Sequence, residues 1–252
     1  MADRPFDLIA FDGDDTLWHN ERSYRDARER FGRMLAAAGV VLTEDEIEAR
    51  VSETELANLR FYGYGVSSFV LSLMETAIAL TGSRVTGADL RDLIELAKQM
   101  LSEEVELFAG ARETVATLAE RYPLMLITKG DLLHQTSKLE RSGLQPCFSA
   151  VEVVSHKTPE VYAALLSRHR IDPARFLMVG NSLRSDVLPV IELGARAVYV
   201  PAELSWAHEH AEIPAAAWSR LVELPGLGAL GGFVESVERA ASAPPSDLRT
   251  WP

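Results

Sequence analysis

The chain has 252 residues, 47% of them hydrophobic, and a formal net charge of -12. That is enough for a large buried core, in one big domain or two smaller ones. The acid excess argues against nucleic-acid binding and against anionic membranes, while leaving room for a locally basic site that takes an anionic ligand. The single cysteine, Cys147, excludes an internal disulfide and a multi-cysteine metal site and reads as a free buried thiol. No apolar run approaches the ~20 residues of a membrane span. The opening MADRPFDLIAF lacks the pattern of a secretion signal, so a cytoplasmic protein is expected.

In chain order, DLIAF (7–11) is the first short apolar run without alternation, the pattern of a strand covered on both faces. Residues 19–105 show no convincing strand. Tyr24, Ala27, Phe31, Met34, Leu35 and Ala38 recur at helical spacing, and Thr43 with Glu46 predicts a capping box at the next helix start. VSSFVLSLMETAIAL and DLRDLIELAKQML predict two more helices, with the glycines and aromatics of FYGYG (61–65) breaking the helical run. Buried strands then follow at LMLIT (124–128), AVEVV (150–154), FLMVG (176–180) and AVYVP (197–201), with a weaker sixth at RLVEL (220–224). Between them lie amphipathic stretches such as TPEVYAALLSRHR, and Asp172–Pro173 has the form of a helix cap.

Strand and helix in alternation predict an α/β fold with a doubly wound parallel sheet. The domain organisation expected is an α/β unit of residues 1–18 and 106–240, an inserted helical bundle of residues 19–105, and a loose Pro/Ser-rich tail of residues 241–252.

Ligands of open parallel sheets bind beyond the carboxyl ends of the strands, and four stretches with chemical potential fall there. FDGDDTLW crowds Asp12, Asp14 and Asp15 within four positions. Like charges this close repel, so water, a cation or backbone donors must compensate. A carboxylate can act as a covalent nucleophile and a second one as general acid and base, and Mg²⁺ takes oxygen ligands and favours phosphate substrates. Thr128, with Lys129, Gly130 and Asp131 after it, offers a hydroxyl and backbone N–H groups to phosphate oxygens. Lys157 in SHKTPE is a compact positive charge suited to phosphate and to carboxylate pairing; His156 beside it reads as solvent-facing. In VGNSLRSD (179–186), Gly180 allows close backbone approach, and Asn181 and Asp186 offer oxygens to a cation. Each stretch alone is also what an ordinary turn or cap looks like; together they supply a nucleophile, a phosphate grip, a counter-charge and a metal site.

In these four stretches, DGDDT (12–16), Thr128 of LITKG, Lys157 of SHKTPE and GNSLRSD (180–186), the chain resembles the haloacid dehalogenase superfamily, and the inserted helices occupy the place of that family's helical cap. The resemblance implies that Asp12 attacks phosphorus and becomes a phospho-aspartate. Asp14 protonates the leaving oxygen and then activates water. Thr128 and Lys157 hold the transferring group, and Mg²⁺ binds Asp12, the backbone carbonyl of Asp14, and the stretch containing Asn181 and Asp186. One departure stands out: the fourth motif of the family usually begins Gly-Asp, and here it is Gly180–Asn181.

The function expected is a Mg²⁺-dependent phosphatase of a small phosphorylated metabolite. A 2-haloacid dehalogenase is the alternative within the fold, and Asp14 argues against it, because that chemistry needs no acid/base two residues after the nucleophile. A phospho-accepting receiver domain is about half as long and lacks a helical insert. A catalytically silent binder of phosphorylated ligands is kept open by Asn181. Arg60, Tyr62 and Tyr64 around FYGYG are candidates for contact with the leaving group, or else packing aromatics of the bundle. Trp18 and His19 either line the site or pack the connection to the helices.

Overall fold

The computed structural model describes residues 4–204 and 206–242. They divide into two compact units. One holds the described residues up to His19, Val105–Thr128 and those from Thr136 on; the other holds Asn20–Glu104 and Lys129–Gln135.

The first unit is built on six strands: β1 (Leu8–Phe11), β2 (Leu124–Lys129), β3 (Ala150–Val154), β4 (Phe176–Gly180), β5 (Arg196–Tyr199) and β6 (Leu221–Glu223). Their order across the sheet is β3-β2-β1-β4-β5-β6. The pairs β1–β2, β1–β4, β4–β5 and β5–β6 are all parallel. The unbroken apolar runs have a direct cause, because alternate side chains of one strand enter different cores. Ile9, Phe11, Leu124, Leu126, Leu177 and Val179 pack in one cluster with Ala111, Val115 and Leu118 of helix α5 (Ala111–Ala119). Leu230, Val234 and Val237 of the C-terminal helix Leu230–Ser242 join them. Leu8, Ala10, Met125, Ile127, Phe176 and Met178 pack in a second cluster with Tyr162, Leu165 and Leu166 of the helix Pro159–His169. Both faces of the central strands are dry, so neither can alternate with polar residues. The sheet is doubly wound as expected.

Two local readings need adjustment. Asp172 does accept from the Ala174 N–H, at 2.9 Å, but the turn it opens is only Pro173–Arg175, since Phe176 already begins β4. Cys147 is free, as expected, but only half-buried at the margin of the first cluster. Of the expected tail, 241–252, all but the first two residues lie outside the described residues. No helix among the described residues is long and apolar enough to cross a membrane.

The second unit has four helices in its main segment: α1 (Glu21–Ala37), α2 (Glu44–Tyr62), α3 (Val66–Leu80) and α4 (Gly87–Ser102). Ala27, Phe31 and Leu35 form the buried stripe of α1 and meet Val51, Phe69, Leu73, Leu93 and Leu96 in one apolar core. Thr43 and Glu46 make the expected capping box: the Glu46 side chain accepts from the Thr43 N–H at 2.9 Å, and the Thr43 hydroxyl accepts from the Glu46 N–H at 3.3 Å. FYGYG does separate two helices, α2 ending at Tyr62 and α3 starting at Val66. Phe61 and Tyr62 are 66% and 49% exposed, so these two rings are not packing aromatics of the bundle.

A charged group is buried beside this core. Arg28 donates to Glu21 at 2.8 Å and stacks over the Phe69 ring at 5.6 Å. Glu55 is close enough to feel both Arg28 and Glu21, and one of its oxygens is buried without a hydrogen-bond partner. Burial pushes the Glu55 carboxyl up to about 7 from 4.5; Arg28 opposes the shift, and Glu21 and Glu48 add to it. The folded chain therefore holds this proton more tightly than the unfolded chain does. The stabilisation is full below pH 4.5 and falls as the pH rises towards about 7. Glu55→Gln keeps the shape and removes the titration. It is expected to raise the melting temperature over wild type at pH 8, by an amount of order 1–3 kcal/mol in stability, with the two proteins converging near pH 5. Parallel melting curves at the two pH values check this.

Candidate active site

β1 lies between β2 and β4, the point at which the chain's course across the sheet changes direction. The Asp12 N–H continues the β1–β4 ladder by donating to Val179 C=O at 2.9 Å. The chain then turns sharply: the Leu17 N–H donates back to Gly13 C=O at 2.8 Å, and the Asp15 N–H to Trp18 C=O at 2.8 Å. Asp15 holds a left-handed conformation, with φ of 59°, the geometry Asp tolerates best among charged residues. The Trp18 ring lies over Gly13, where a Cβ would stand 2.7 Å from the ring. Trp18 is fully buried, so it packs the turn and does not line an opening. His19 stacks on Phe108, with ring centroids 3.8 Å apart.

Three of the four sequence stretches meet directly. The Lys157 ammonium donates to Asp12 Oδ1 at 2.5 Å and to Asp186 Oδ1 at 2.6 Å, with its side chain 1% exposed. Asp186 Oδ2 accepts from the Ser182 N–H at 3.0 Å. The Thr16 hydroxyl stands 3.1 Å from Asp12 Oδ2 and 3.2 Å from Asn181 Oδ1, and so ties the end of β4 to the turn after β1. Asp14 is held differently: its Oδ1 accepts from Trp18 Nε1 at 2.6 Å and from Lys138 Nζ at 2.5 Å. Thr128 is buried near the end of β2, the strand beside β1. His156 is exposed, as expected.

Lys129, Gly130, Arg60, Tyr62 and Tyr64 all belong to the helical unit. There the Lys129 ammonium lies 4.4 Å above the Tyr64 ring, and the Lys129 carbonyl accepts from the Gln135 amide at 3.0 Å. The Arg60 guanidinium stacks over Phe61 at 4.5 Å.

Burial pushes the Asp12 carboxyl up to about 7; Lys157 opposes this, and Asp186 and Asp14 add to it. Burial alone would pull Lys157 down, but Asp12 and Asp186 hold it well above the ordinary lysine value. The cation and its two carboxylates are thus mutually dependent, and removing one partner strands a buried charge.

No group of three or more His, Cys, Asp or Glu side chains is placed to hold a metal among the described residues. The oxygen set here is mixed. Asp12 and Asn181 share one hydroxyl, and Asp12 and Asp186 share one ammonium. A set of carboxylate and amide oxygens fits a hard divalent cation better than a soft one.

Residues 6–194 match the haloacid dehalogenase-like hydrolase family. The chain belongs to that family. This hydrolase is 39% identical to a haloacid dehalogenase-like family hydrolase from Xanthomonas campestris of known crystal structure, with a TM-score of 0.82 and 94% of each chain covered. It is 28% identical over 213 residues to the glyceraldehyde 3-phosphate phosphatase of Methanothermobacter thermautotrophicus, covering 81% of this chain and 90% of that protein. It is 25% identical over 237 residues to the N-acylneuraminate-9-phosphatase of Rattus norvegicus, covering 87% and 92%. It also shares its fold with the L-2-haloacid dehalogenase of Xanthobacter autotrophicus at 19% identity, a TM-score of 0.64, and 91% and 98% coverage.

Sequence reasoning did not find Thr16, Trp18 as the partner of Asp14, or Lys138. Lys138 is 124 residues from Asp14 along the chain, and in sequence it is one lysine of an ordinary amphipathic helix. Gly180, in contrast, was readable. A Cβ there would meet Asp186 Oδ2 at 2.3 Å. Gly180→Ala must move Asp186 away from Lys157, and it is expected to cost about 1–3 kcal/mol in stability together with most of the activity, read by denaturant unfolding and by turnover.

Proposed function

We propose that this hydrolase is a Mg²⁺-dependent phosphatase of small phosphate monoesters working through a phospho-aspartate on Asp12. The observation that carries the reading is the buried Asp12 carboxylate held by Lys157 at 2.5 Å, with a second aspartate, Asp14, two residues on in the same turn. The phosphatases among its relatives support it.

In the first step an Asp12 oxygen forms a bond to phosphorus as the bond to the ester oxygen breaks, and that oxygen leaves as an alcohol with the proton of Asp14. In the second step water attacks the phosphorus of the acyl phosphate and gives its proton to Asp14. Inorganic phosphate leaves and Asp12 is regenerated. Lys157 carries the charge that opposes the protonation of Asp12 and would compensate the incoming phosphoryl oxygens. Thr128 adds a hydroxyl grip, with Lys129 and Gly130 as further contacts to phosphate. Asp12, the Asp14 carbonyl, Asn181 and Asp186 would hold Mg²⁺, which supplies charge neutralisation for the transferring group. Lys138 and Trp18 fix the Asp14 carboxylate at the end of its turn. Arg60, Tyr62 and Tyr64 of the helical unit are proposed to recognise the leaving group. A cytoplasmic setting and a phosphorylated metabolite as substrate complete the reading.

A generic aryl phosphate, tested with Mg²⁺ and with chelator, checks the reaction. Phosphate release is expected only with the metal. Asp12→Asn should lower it by ~10⁴-fold or more, and Asp14→Asn by ~10²–10⁴-fold, with both variants folded by circular dichroism. Turnover retained in Asp12→Asn removes the nucleophile assignment. Halide release from 2-haloacids without metal, in place of phosphate release, moves the enzyme to the dehalogenase reading.

A further inference from the structure

Beyond the residues assigned above, one carboxylate from a distant loop is built into the turn that carries Asp186. After β5 the chain reaches a short turn, Ala207–Glu209. The Glu209 Oε2 atom accepts from two hydroxyls at once, Ser182 and Ser185, each at 2.5 Å. These are short, charge-assisted bonds, the stronger kind. Ser182 and Ser185 are both buried, as is Asp186, which is 1% exposed. The three residues sit on one π-helical turn, Leu183–Val187, with Ser182 as its cap. Such a turn is rare and frequently found at functional sites.

Several polar groups of this turn are tied, directly or through one neighbour, to Asp186. The Ser182 hydroxyl accepts from the Ser185 N–H at 2.9 Å and donates to Glu209, so its single proton is committed to the carboxylate. The Ser182 N–H holds Asp186 Oδ2, and the other oxygen of Asp186 takes Lys157. On the far side, the Tyr162 hydroxyl donates to the Ser185 carbonyl at 3.0 Å. The neighbouring loop is pinned a second time, because Arg184 donates to the His208 carbonyl at 3.2 Å.

We infer that Glu209 is a positioning residue for the phosphatase site, clamping Ser182 and Ser185 so that Asp186 keeps the pose shared by Lys157 and a bound cation. The role rests on the proposed phosphatase reading. It is a geometric role: what the two serines need is an acceptor oxygen between them. An aspartate that must serve both a lysine and a metal tolerates little rotation, and outer hydrogen bonds that fix such a ligand are commonly worth 10–100-fold in affinity or activity. In sequence Glu209 sits in SWAHEHAE, far from any motif, and nothing in that stretch marks it.

The test compares Glu209→Ala and Glu209→Gln with wild type by calorimetric titration of Mg²⁺ in the absence of substrate, and separately by kcat and KM on the aryl phosphate. Glu209→Ala is expected to weaken Mg²⁺ binding and lower kcat by about 10-fold or more, with KM changed less than about threefold. Glu209→Gln retains an acceptor oxygen and is expected to stay within about threefold of wild type in both. Wild-type Mg²⁺ affinity and kcat in Glu209→Ala overturn the inference. So does an equal loss in both variants, which makes the charge and not the clamp responsible. If Glu209→Ala fails to fold, the Ser182→Ala/Ser185→Ala double variant is read by the same titration, where wild-type affinity overturns the inference and a loss of about 10-fold upholds it. A wild-type protein that binds no divalent cation removes the metal reading and this role together. One that binds and turns over while Glu209→Ala is unchanged removes the role alone.

Discussion

The site depends on one buried ammonium. Lys157 lies between Asp12 and Asp186 with its side chain almost wholly out of water. Two carboxylates this deep would otherwise protonate or separate, because the low dielectric that burial brings makes each charge costly and their repulsion strong. One lysine answers both, and by doing so fixes the distance between the end of β1 and the turn after β4. It is placed there by its own position between β3 and the helix Pro159–His169, whose cap is Thr158 and whose first residue is a proline. The backbone around Lys157 is therefore committed before its side chain is, and the lysine can act as a fixed counter-charge and not as a mobile surface group.

The sheet order explains why these residues meet at all. β1 has β2 on one side and β4 on the other, so the ends of strands far apart in sequence lie beside the turn that carries Asp12 and Asp14. Asn181 and Asp186 follow β4 and Thr128 lies near the end of β2, the two strands that flank β1. The turn itself is kept tight by Trp18, whose ring covers Gly13 and whose indole N–H is used on Asp14. Packing and chemistry are joined in that residue. The ring is core, and the N–H holds the Asp14 carboxylate, which no aliphatic side chain could do.

Much of this was legible in the sequence, for a physical reason in each case. The central strands were readable because both faces of the sheet are dry there, so DLIAF and FLMVG carry no polar alternation; AVEVV, expected as buried, is an edge strand with Val151 exposed. The α2 start was readable because Thr43 and Glu46 satisfy each other locally. Asp12, Lys157 and Asp186 could be singled out because they are charged groups in the connections that follow β1, β3 and β4. What stayed hidden depends on pairing across the chain. Lys138 meets Asp14 from 124 residues away, and no spacing rule reaches that far. The Glu55–Arg28–Glu21 group was hidden for a related reason: on a helix, an acidic residue facing the interior looks like its solvated neighbours until the facing helix is known. At Asp172–Pro173 the cap was read correctly and its length was not, since the start of β4 decides where that turn must stop.

The Asn181 departure acquires a structural sense from Thr16. That hydroxyl has one proton, and it stands at nearly equal distance from Asp12 Oδ2 and Asn181 Oδ1. An aspartate at 181 would set a third carboxylate, half-buried, beside a single Lys157 and in contact with the hydroxyl that already serves Asp12. The amide keeps an oxygen aimed at the same point while carrying no charge, so the metal-free site is spared one repulsion that burial would magnify. On the proposed metal reading, the amide oxygen would be a weaker cation ligand than a carboxylate, and Asp12 and Asp186 would carry more of the work of holding the cation. On that reading the site would need its remaining carboxylates to be well oriented more than numerous, and the Ser182 N–H, which holds one oxygen of Asp186, together with the Lys157 ammonium on the other, restricts how that side chain can turn.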